Sequence, residues 1–216
     1  MAIKPILFNA EMVRAILDGR KSCTRRLVKI QPKDNEYTVV FTRKDVQIKT
    51  EKTTAKSPYQ VGDILYVRET YVAWYLPHGE NTYCYRATEP NGNKRPTSPE
   101  YDCDWEVKPW RPSIHMPKEA ARIWLKVTEV RVERLQDITP KDAENEGVGN
   151  LFYDDIGYSE KNYGTEVDPE YGIAKEQFAW LWESTIKKSD LDRYGWDANP
   201  WVWVIEFEPC EKLEGV

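Results

Sequence analysis

Four cationic side chains stand within seven positions near the start of the chain, and this crowding constrains how that part of the chain can fold. They are Arg20, Lys21, Arg25 and Arg26. Neighbouring cations repel one another unless an anion lies close by. The stretch is therefore either a basic loop that enters a strand, with acids from elsewhere in the chain beside it, or part of a site that holds an anion.

The segment before these cations has the pattern of a short amphipathic helix. Apolar residues recur at helical spacing over residues 11–18, as on a helix with one buried face. Asn9 is placed to cap its first turn, and Gly19 stands where a left-handed residue ends a helix. Lys21 is then delivered at a sharp helix exit, with Thr24 three positions further on.

Four motifs resemble one known family. Residues 19–26 match the Gly-x-Lys-x-x-Thr-x-Arg signature of ASCH domains, which are small barrels of the PUA-like group. Residues 135–147, 61–67 and 203–207 are similar to that family's acidic helix, its Gly-Asp strand and its last strand, in the same order. The chain is about twice the length of the minimal domain and in this respect resembles the longer ASCH proteins of bacteriophages and prophages.

The resemblance implies a fold and a set of site residues. The fold is α+β, a PUA-like small β-barrel with flanking helices. The site is a pocket at the barrel mouth where Lys21, Thr24 and Glu146 meet. In the small ASCH enzymes, which resemble amidohydrolases of N4-acetylcytidine, the matching residues are the catalytic trio. For this chain we expect no metal and no other cofactor.

These residue types suit acyl chemistry in two ways. A threonine hydroxyl is a poor nucleophile until a base removes its proton, and an amine does so only when it is neutral. The surrounding arginines favour a neutral Lys21, whereas contact with Glu146 favours a charged Lys21 that stabilises an oxyanion while Glu146 moves protons. The sequence leaves both open, together with a third interpretation in which Lys21 and Glu146 form a structural ion pair.

The charge distribution points to a phosphate-bearing partner. Residues 1–56 hold 13 Lys and Arg against 6 Asp and Glu, a balance of +7, while the rest of the chain has a balance of −12. A basic face on an acidic body suits RNA or single-stranded DNA. Arg20, Arg25 and Arg26 are the candidate contacts, although Arg25 and Arg26 can equally pair with acids of the body.

Six of the nine tryptophans fall into two groups by context. Trp105 and Trp110 lie in or beside a proline-rich stretch, and we expect them to form a ligand wall on which a base can stack. Four others lie in strands or on an apolar helix face and are predicted to be core residues: Trp124, Trp182, Trp201 and Trp203.

Length and composition bound the class of protein. At 216 residues the chain can bury a proper core, and we expect one domain over residues 1–216 with surface insertions at about 75–112 and 148–172. No apolar run approaches a membrane span and no signal peptide is apparent, so a cytoplasmic protein without membrane contact is expected. The four cysteines are widely spaced and predict neither a disulfide framework nor a zinc site.

Three further patterns predict secondary structure around the motifs. A long strand over residues 121–135 changes its alternation part-way, as at a bulge or a barrel corner. Thr139 and Pro140 open a short helix that Gly147 closes. The last strand, residues 201–207, is apolar on both faces and is therefore placed inside the sheet.

The leading functional hypothesis is hydrolysis of an amide on a modified cytidine-like base. Its partner is then a modified pyrimidine nucleoside. Two alternatives use the same basic loop: a module that binds RNA or single-stranded DNA without catalysis, and a metal-independent ribonuclease.

Overall fold

The structure is a computed structural model, and it describes residues 1–32, 37–42, 45–75, 81–89, 109–148 and 169–213. Most of the first predicted insertion and nearly all of the second lie outside these ranges, and Trp105 does too.

The described residues form ten β-strands and four α-helices. The strands are β1 (Ile3–Leu7), β2 (Cys23–Leu27), β3 (Thr38–Phe41), β4 (Val46–Lys49), β5 (Thr54–Lys56), β6 (Ile64–Arg68), β7 (Tyr71–Tyr75), β8 (Asn81–Tyr85), β9 (Trp124–Arg134) and β10 (Trp201–Cys210). The helices are α1 (Ala10–Leu17), α2 (Pro140–Asn145), α3 (Pro169–Thr185) and α4 (Leu191–Tyr194).

A five-stranded sheet organises the molecule. Its strand order is β1, β6, β9, β10, β2, in which β1 and β6 are parallel and the other neighbours antiparallel. Strands β3, β4 and β5 form a second sheet, and β7 pairs with β8. This mixture of sheets and separate helices confirms the α+β class.

Strand β10 lies inside the main sheet, as its two apolar faces predict. Trp203 and Ile205 point to one face, where they pack in the same buried cluster as residues of α1. Val202 and Val204 point to the other face, in a cluster with residues of α2 and α3. Helices therefore cover both faces, and each fully buried aliphatic side chain stabilises the fold by roughly 1.5–3 kcal/mol. All four tryptophans predicted to be core residues are buried: Trp124, Trp182, Trp201 and Trp203.

The change of alternation predicted in the long strand is a bulge in β9. Glu206 of β10 is opposite Glu129, but Phe207 is opposite Val127, so Thr128 is the extra residue of β9. The extra residue lets Val127 and Val130 both face the core although their spacing is odd.

The two edge strands of the main sheet approach each other at one end. The Arg26 Nη2 atom, on β2, donates a hydrogen bond to the Leu7 carbonyl at the end of β1, at 3.2 Å. The sheet is therefore strongly curved, yet the strands in the described part of the chain do not pair into a closed barrel. The PUA-like barrel stays a prediction.

Across the described helices, none combines the length and the apolar character that crossing a membrane requires.

Candidate active site

Lys21 is buried just after the end of α1, and the residues that begin and end this helix explain its position. The Asn9 side chain accepts a hydrogen bond from the Met12 N–H at 2.8 Å, which confirms the predicted cap. Gly19 has φ of +73°, a left-handed conformation that glycine adopts without strain. The backbone N–H of Lys21 then donates to the Ala15 carbonyl at 2.9 Å, so the chain turns back across the helix end.

Helix α2 delivers Glu146 in a similar way. Thr139 and Asp142 form a capping box, and Glu146 is the residue at the end of the helix. Gly147 follows with φ of +87°. A Cβ atom on Gly147 would lie 2.7 Å from Ala15 Cβ and 3.2 Å from Lys21 Cβ. Glycine is therefore required there both for its conformation and for the close approach of α1 and α2.

Lys21 and Glu146 form a buried ion pair at this crossing. The Lys21 Nζ atom donates to Glu146 Oε2 at 2.8 Å and to the Glu146 backbone carbonyl at 2.7 Å. The two side chains are only 1% and 5% exposed. An antiparallel β-bridge also joins the two backbones, so main chain and side chain hold the same pair of residues.

Thr24 lines the same cavity as this ion pair but has a different hydrogen-bond partner. Its Oγ accepts a hydrogen bond from Arg26 Nη1 at 2.6 Å, and Arg26 Nη1 also donates to the Arg25 carbonyl at 2.9 Å. In the described part of the chain, the threonine hydroxyl makes no hydrogen bond to Lys21 or Glu146. Arg26 thus lies between the proposed nucleophile and the edge strand β1.

Arg25 is held by carboxylates of the protein itself. Its side chain is 0% exposed and contacts Glu133 at 2.6 Å, Glu146 at 3.3 Å and Asp142 at 3.7 Å. Burial by itself lowers the pKa of Arg25, but the carboxylates of Glu146 and Glu133 outweigh burial and raise this pKa above its ordinary value. The sequence leaves two interpretations of Arg25 open, contact with a phosphate and pairing with acids of the chain. In the structure, Arg25 is paired with acids of the chain.

Arg131 extends this network. It forms ion pairs with Glu133, Asp142 and Glu206. The sequence analysis missed Arg131 and Glu133, which stand two positions apart on β9 and therefore share a face. Charged residues at that spacing on a strand otherwise rich in valine are the signal that could have indicated buried ionic contacts.

Cys23 is a thiol close enough to Glu146 and Lys21 to feel their charges, and it is unsuited to nucleophilic attack. Its side chain is buried, with Sγ 3.7 Å from the Asp142 carbonyl. Burial, and after it the negative charge of Glu146, raises the pKa of Cys23 to about 12. The thiolate that a cysteine nucleophile needs is therefore scarce at neutral pH.

A cavity of about 500 Å³ joins these groups. Its polar wall holds Lys21, Thr24, Arg25, Arg26 and Glu146, and side chains of α3 line another part of it. The apolar and aromatic lining residues are Leu7, Phe8, Met12, Leu27, Phe178, Leu181, Trp182 and Ile186. A small molecule with a flat ring fits such a mixture of aromatic walls and few convergent polar groups.

Two aromatic rings lie against the cations of this cavity. The Phe8 ring centroid is 5.5 Å from Lys21 Nζ and 5.4 Å from the Arg26 guanidinium carbon. The Phe178 ring centroid is 5.6 Å from the guanidinium carbon of Arg25. Each of these contacts places a cation against the electron-rich face of an aromatic ring, which attracts it. Neither phenylalanine was a candidate from the sequence, because each also fits a core pattern.

The remaining predicted site residues lie elsewhere. Arg20 is partly exposed and contacts Asp18 at 3.0 Å and the Gly147 carbonyl at 3.2 Å. Trp110 is partly buried and is not among the residues that line the cavity, while Trp105 lies outside the described residues. In the described ranges, no group of three or more His, Cys, Asp or Glu side chains is arranged to hold a metal ion.

No protein-family model, curated protein or solved structure matches this chain. The ASCH assignment therefore rests on the four sequence motifs, and a function has to be argued from the geometry of the site.

Proposed function

We propose that this chain is an ASCH-type protein with a PUA-like fold, and that its cavity hydrolyses an amide on a modified cytidine-like base. The observation that carries the proposal is the convergence of Lys21, Thr24 and Glu146, which are up to 125 positions apart, on one cavity. The strong curvature of the main sheet, with β1 and β2 close together at this cavity, supports the fold.

The cavity walls suit a pyrimidine ring. Aromatic side chains such as Phe8 and Trp182 offer flat apolar surface for a base, while the polar wall faces the group attached to it. An acylated exocyclic nitrogen would direct its carbonyl carbon to Thr24.

The proposed reaction uses the three polar residues in sequence. The Thr24 oxygen attacks the amide carbon, and its proton passes to Glu146. Lys21, which already donates hydrogen bonds to Glu146, stays charged and stabilises the oxyanion that forms. The C–N bond then breaks, the proton returns to the leaving nitrogen, and water hydrolyses the threonine ester to release a carboxylic acid.

A substrate panel tests this proposal. The pure protein is incubated with N4-acylated cytidines, N-acylated adenosine and acylated amino acids, and products are followed by mass spectrometry. We expect cytidine and the free acid from the acylated cytidines, and no products from the other two classes. Release from all three classes, or from none, would contradict a cytidine-specific amidohydrolase.

Binding without catalysis is the second candidate. It is favoured by the Thr24 hydroxyl, which makes no hydrogen bond to a base among the described residues, although catalytic contacts often tighten only when substrate binds. The basic N-terminal residues would then hold RNA or single-stranded DNA. If about four phosphates are engaged, affinity should fall roughly 100-fold between 50 and 250 mM salt. A salt-independent affinity for free nucleoside favours the enzyme instead.

A further inference from the structure

Arg26 differs from the other cations of the cavity in its partners. Lys21 and Arg25 each contact carboxylates of the protein. Arg26 instead donates to three neutral acceptors: the Thr24 hydroxyl at 2.6 Å, the Arg25 carbonyl at 2.9 Å and the Leu7 carbonyl at 3.2 Å. None of the ion pairs formed by the described residues involves Arg26.

Among the described residues, no carboxylate therefore contacts this half-buried cation. Burial lowers the pKa of Arg26, although the charge of Glu146 and the phenol of Tyr59 act in the opposite sense. A guanidinium with five N–H donors, three of them committed to neutral oxygens, still has donors for a negatively charged group. Charge-assisted hydrogen bonds of this type are roughly twice as strong as neutral ones.

Two negatively charged groups are candidates for contact with Arg26. One is a phosphate of a nucleic acid, and the other is the oxygen of the substrate amide, which becomes negative during the reaction. The 2.6 Å contact with Thr24 Oγ decides between them. The Thr24 Oγ attacks the exocyclic amide of the substrate, so Arg26, which contacts that oxygen, lies next to the position of the amide. The phosphate of the same nucleotide is a whole sugar and base away from that point.

We infer that Arg26 is a positioning residue that orients the Thr24 hydroxyl. Its positive charge also stabilises the negative charge that forms on the neighbouring carbonyl oxygen when Thr24 attacks. This inference rests on the proposed function. Before attack, Arg26 Nη1 occupies one lone pair of Oγ, which fixes the direction of the other lone pair and of the hydroxyl proton. As the C–O bond forms, the amide π electrons move to the carbonyl oxygen and the hydroxyl proton moves to Glu146. Arg26 keeps all its protons throughout.

A purely structural role for Arg26 has to be separated from this one. The same guanidinium links the two edge strands through the Leu7 carbonyl, so its loss also weakens the fold. A structural link affects stability and the amount of folded protein. It leaves the turnover of each folded molecule and the reactivity of Thr24 unchanged.

The test compares Arg26→Met and Arg26→Lys with Arg134→Met as a matched control. Arg134 is also a half-buried strand arginine that donates to a backbone carbonyl, that of Asn199, and lies over an aromatic ring, that of Trp201, but it does not line the cavity. Turnover of N4-acetylcytidine gives kcat and KM, and a thermal melt gives the folded fraction. In parallel, p-nitrophenyl acetate is offered to each protein, and acetylation of Thr24 is followed by peptide mass spectrometry.

Arg26→Met should lower kcat per folded molecule about 100-fold or more, the usual effect of losing one such donor, with KM within a few fold. Arg26→Lys should recover part of the loss, and Arg134→Met should keep the wild-type kcat. A kcat of Arg26→Met within threefold of wild type would overturn the inference.

The acetylation arm keeps the inference testable if no acylated cytidine is turned over. Thr24 acetylated by the ester in wild type, and at least tenfold more slowly in Arg26→Met, supports the role of Arg26 while the amide-hydrolysis proposal fails. Equal acetylation rates, or no acetylation of Thr24 in wild type, would overturn it.

Discussion

Lys21 and Glu146 are 125 positions apart, yet the Nζ atom lies 2.8 Å from the carboxylate and 2.7 Å from the backbone carbonyl of the same glutamate. A lysine that contacts one residue at both its main chain and its side chain is held in a single orientation. Two glycine-terminated helices produce this arrangement, because each helix ends where its chain must turn towards the other.

Gly147 is predicted to be needed for this approach, and Gly62 provides a matched control. Both have φ of +87°, but a Cβ on Gly62 would meet nothing within 4 Å, whereas one on Gly147 would clash with Ala15. Gly62→Ala should cost about 1–2 kcal/mol of unfolding free energy for its left-handed backbone. Gly147→Ala should cost more, because the clash adds to the same backbone strain.

Denaturant unfolding of the two variants measures this difference. Equal losses would show that the crossing of α1 and α2 relaxes without cost, contrary to the close packing described above.

Arg25 is predicted to contribute strongly to stability, because it compensates the buried charges of two carboxylates. Its replacement leaves Glu133 and Glu146 without a cation that both contact. Removing one partner of a buried ion pair typically destabilises a protein by about 3–5 kcal/mol. Arg25→Met should do so in urea unfolding, whereas Arg193→Met, at an exposed arginine stacked on Tyr194, should change stability by less than about 0.5 kcal/mol. A small effect at Arg25 would mean that Lys21 and Arg131 are enough to compensate the charges of Glu146 and Glu133.

Cys23 is predicted to make the protein less stable at alkaline pH. Its folded pKa is raised from 9.0 to about 12, so folding keeps the thiol neutral. This stabilisation is fully present below pH 9 and is lost as the pH rises towards 12. Between pH 8 and 10, the loss from this one group is about 1.4 kcal/mol.

Comparison with Cys23→Ala isolates that contribution from other alkaline titrations. The difference in unfolding free energy between wild type and variant should shrink by about 1.4 kcal/mol from pH 8 to pH 10. A difference that stays constant over this interval would show that the thiol ionises as readily in the folded state as in the unfolded one.

Local features of the site were predictable from the sequence, and the long-range contacts were not. Asn9, Gly19, Thr139 and Gly147 begin or end helices as predicted, because capping depends on a few neighbouring residues. The partner of Arg25 could not be chosen from the sequence. Many acids are available to it, and the choice of Glu133 depends on how β9 and β2 flank β10.

The hydrogen bond between Arg26 and Thr24 could not be predicted from the sequence either, although the two residues are close in the chain. The two residues stand at positions i and i+2 of a strand, so they share a face. Whether the arginine turns back to the threonine or reaches out to solvent depends on the Leu7 carbonyl and the Phe8 ring, which come from the other edge of the sheet.

Glu146 is predicted to carry the proton of the reaction. Glu146→Gln keeps the shape and an acceptor for Lys21 but cannot take up a proton. The rate of amide hydrolysis should therefore fall at every pH, by roughly 100-fold or more, since general acid–base groups contribute on this scale. A pH–rate profile that moves to lower pH with its maximum retained would contradict this role and assign the base to Lys21.

The proposed reaction requires the Thr24 oxygen to be the nucleophile, and a pair of substitutions at this position examines that requirement. Thr24 is buried, so valine replaces it with nearly the same shape, and serine keeps the hydroxyl. Hydrolysis of N4-acetylcytidine and affinity for the same ligand are measured for wild type, Thr24→Val and Thr24→Ser. We expect no detectable hydrolysis by Thr24→Val with affinity within a few fold of wild type, and measurable hydrolysis by Thr24→Ser. Hydrolysis by Thr24→Val at a rate near that of wild type would show that another group is the nucleophile.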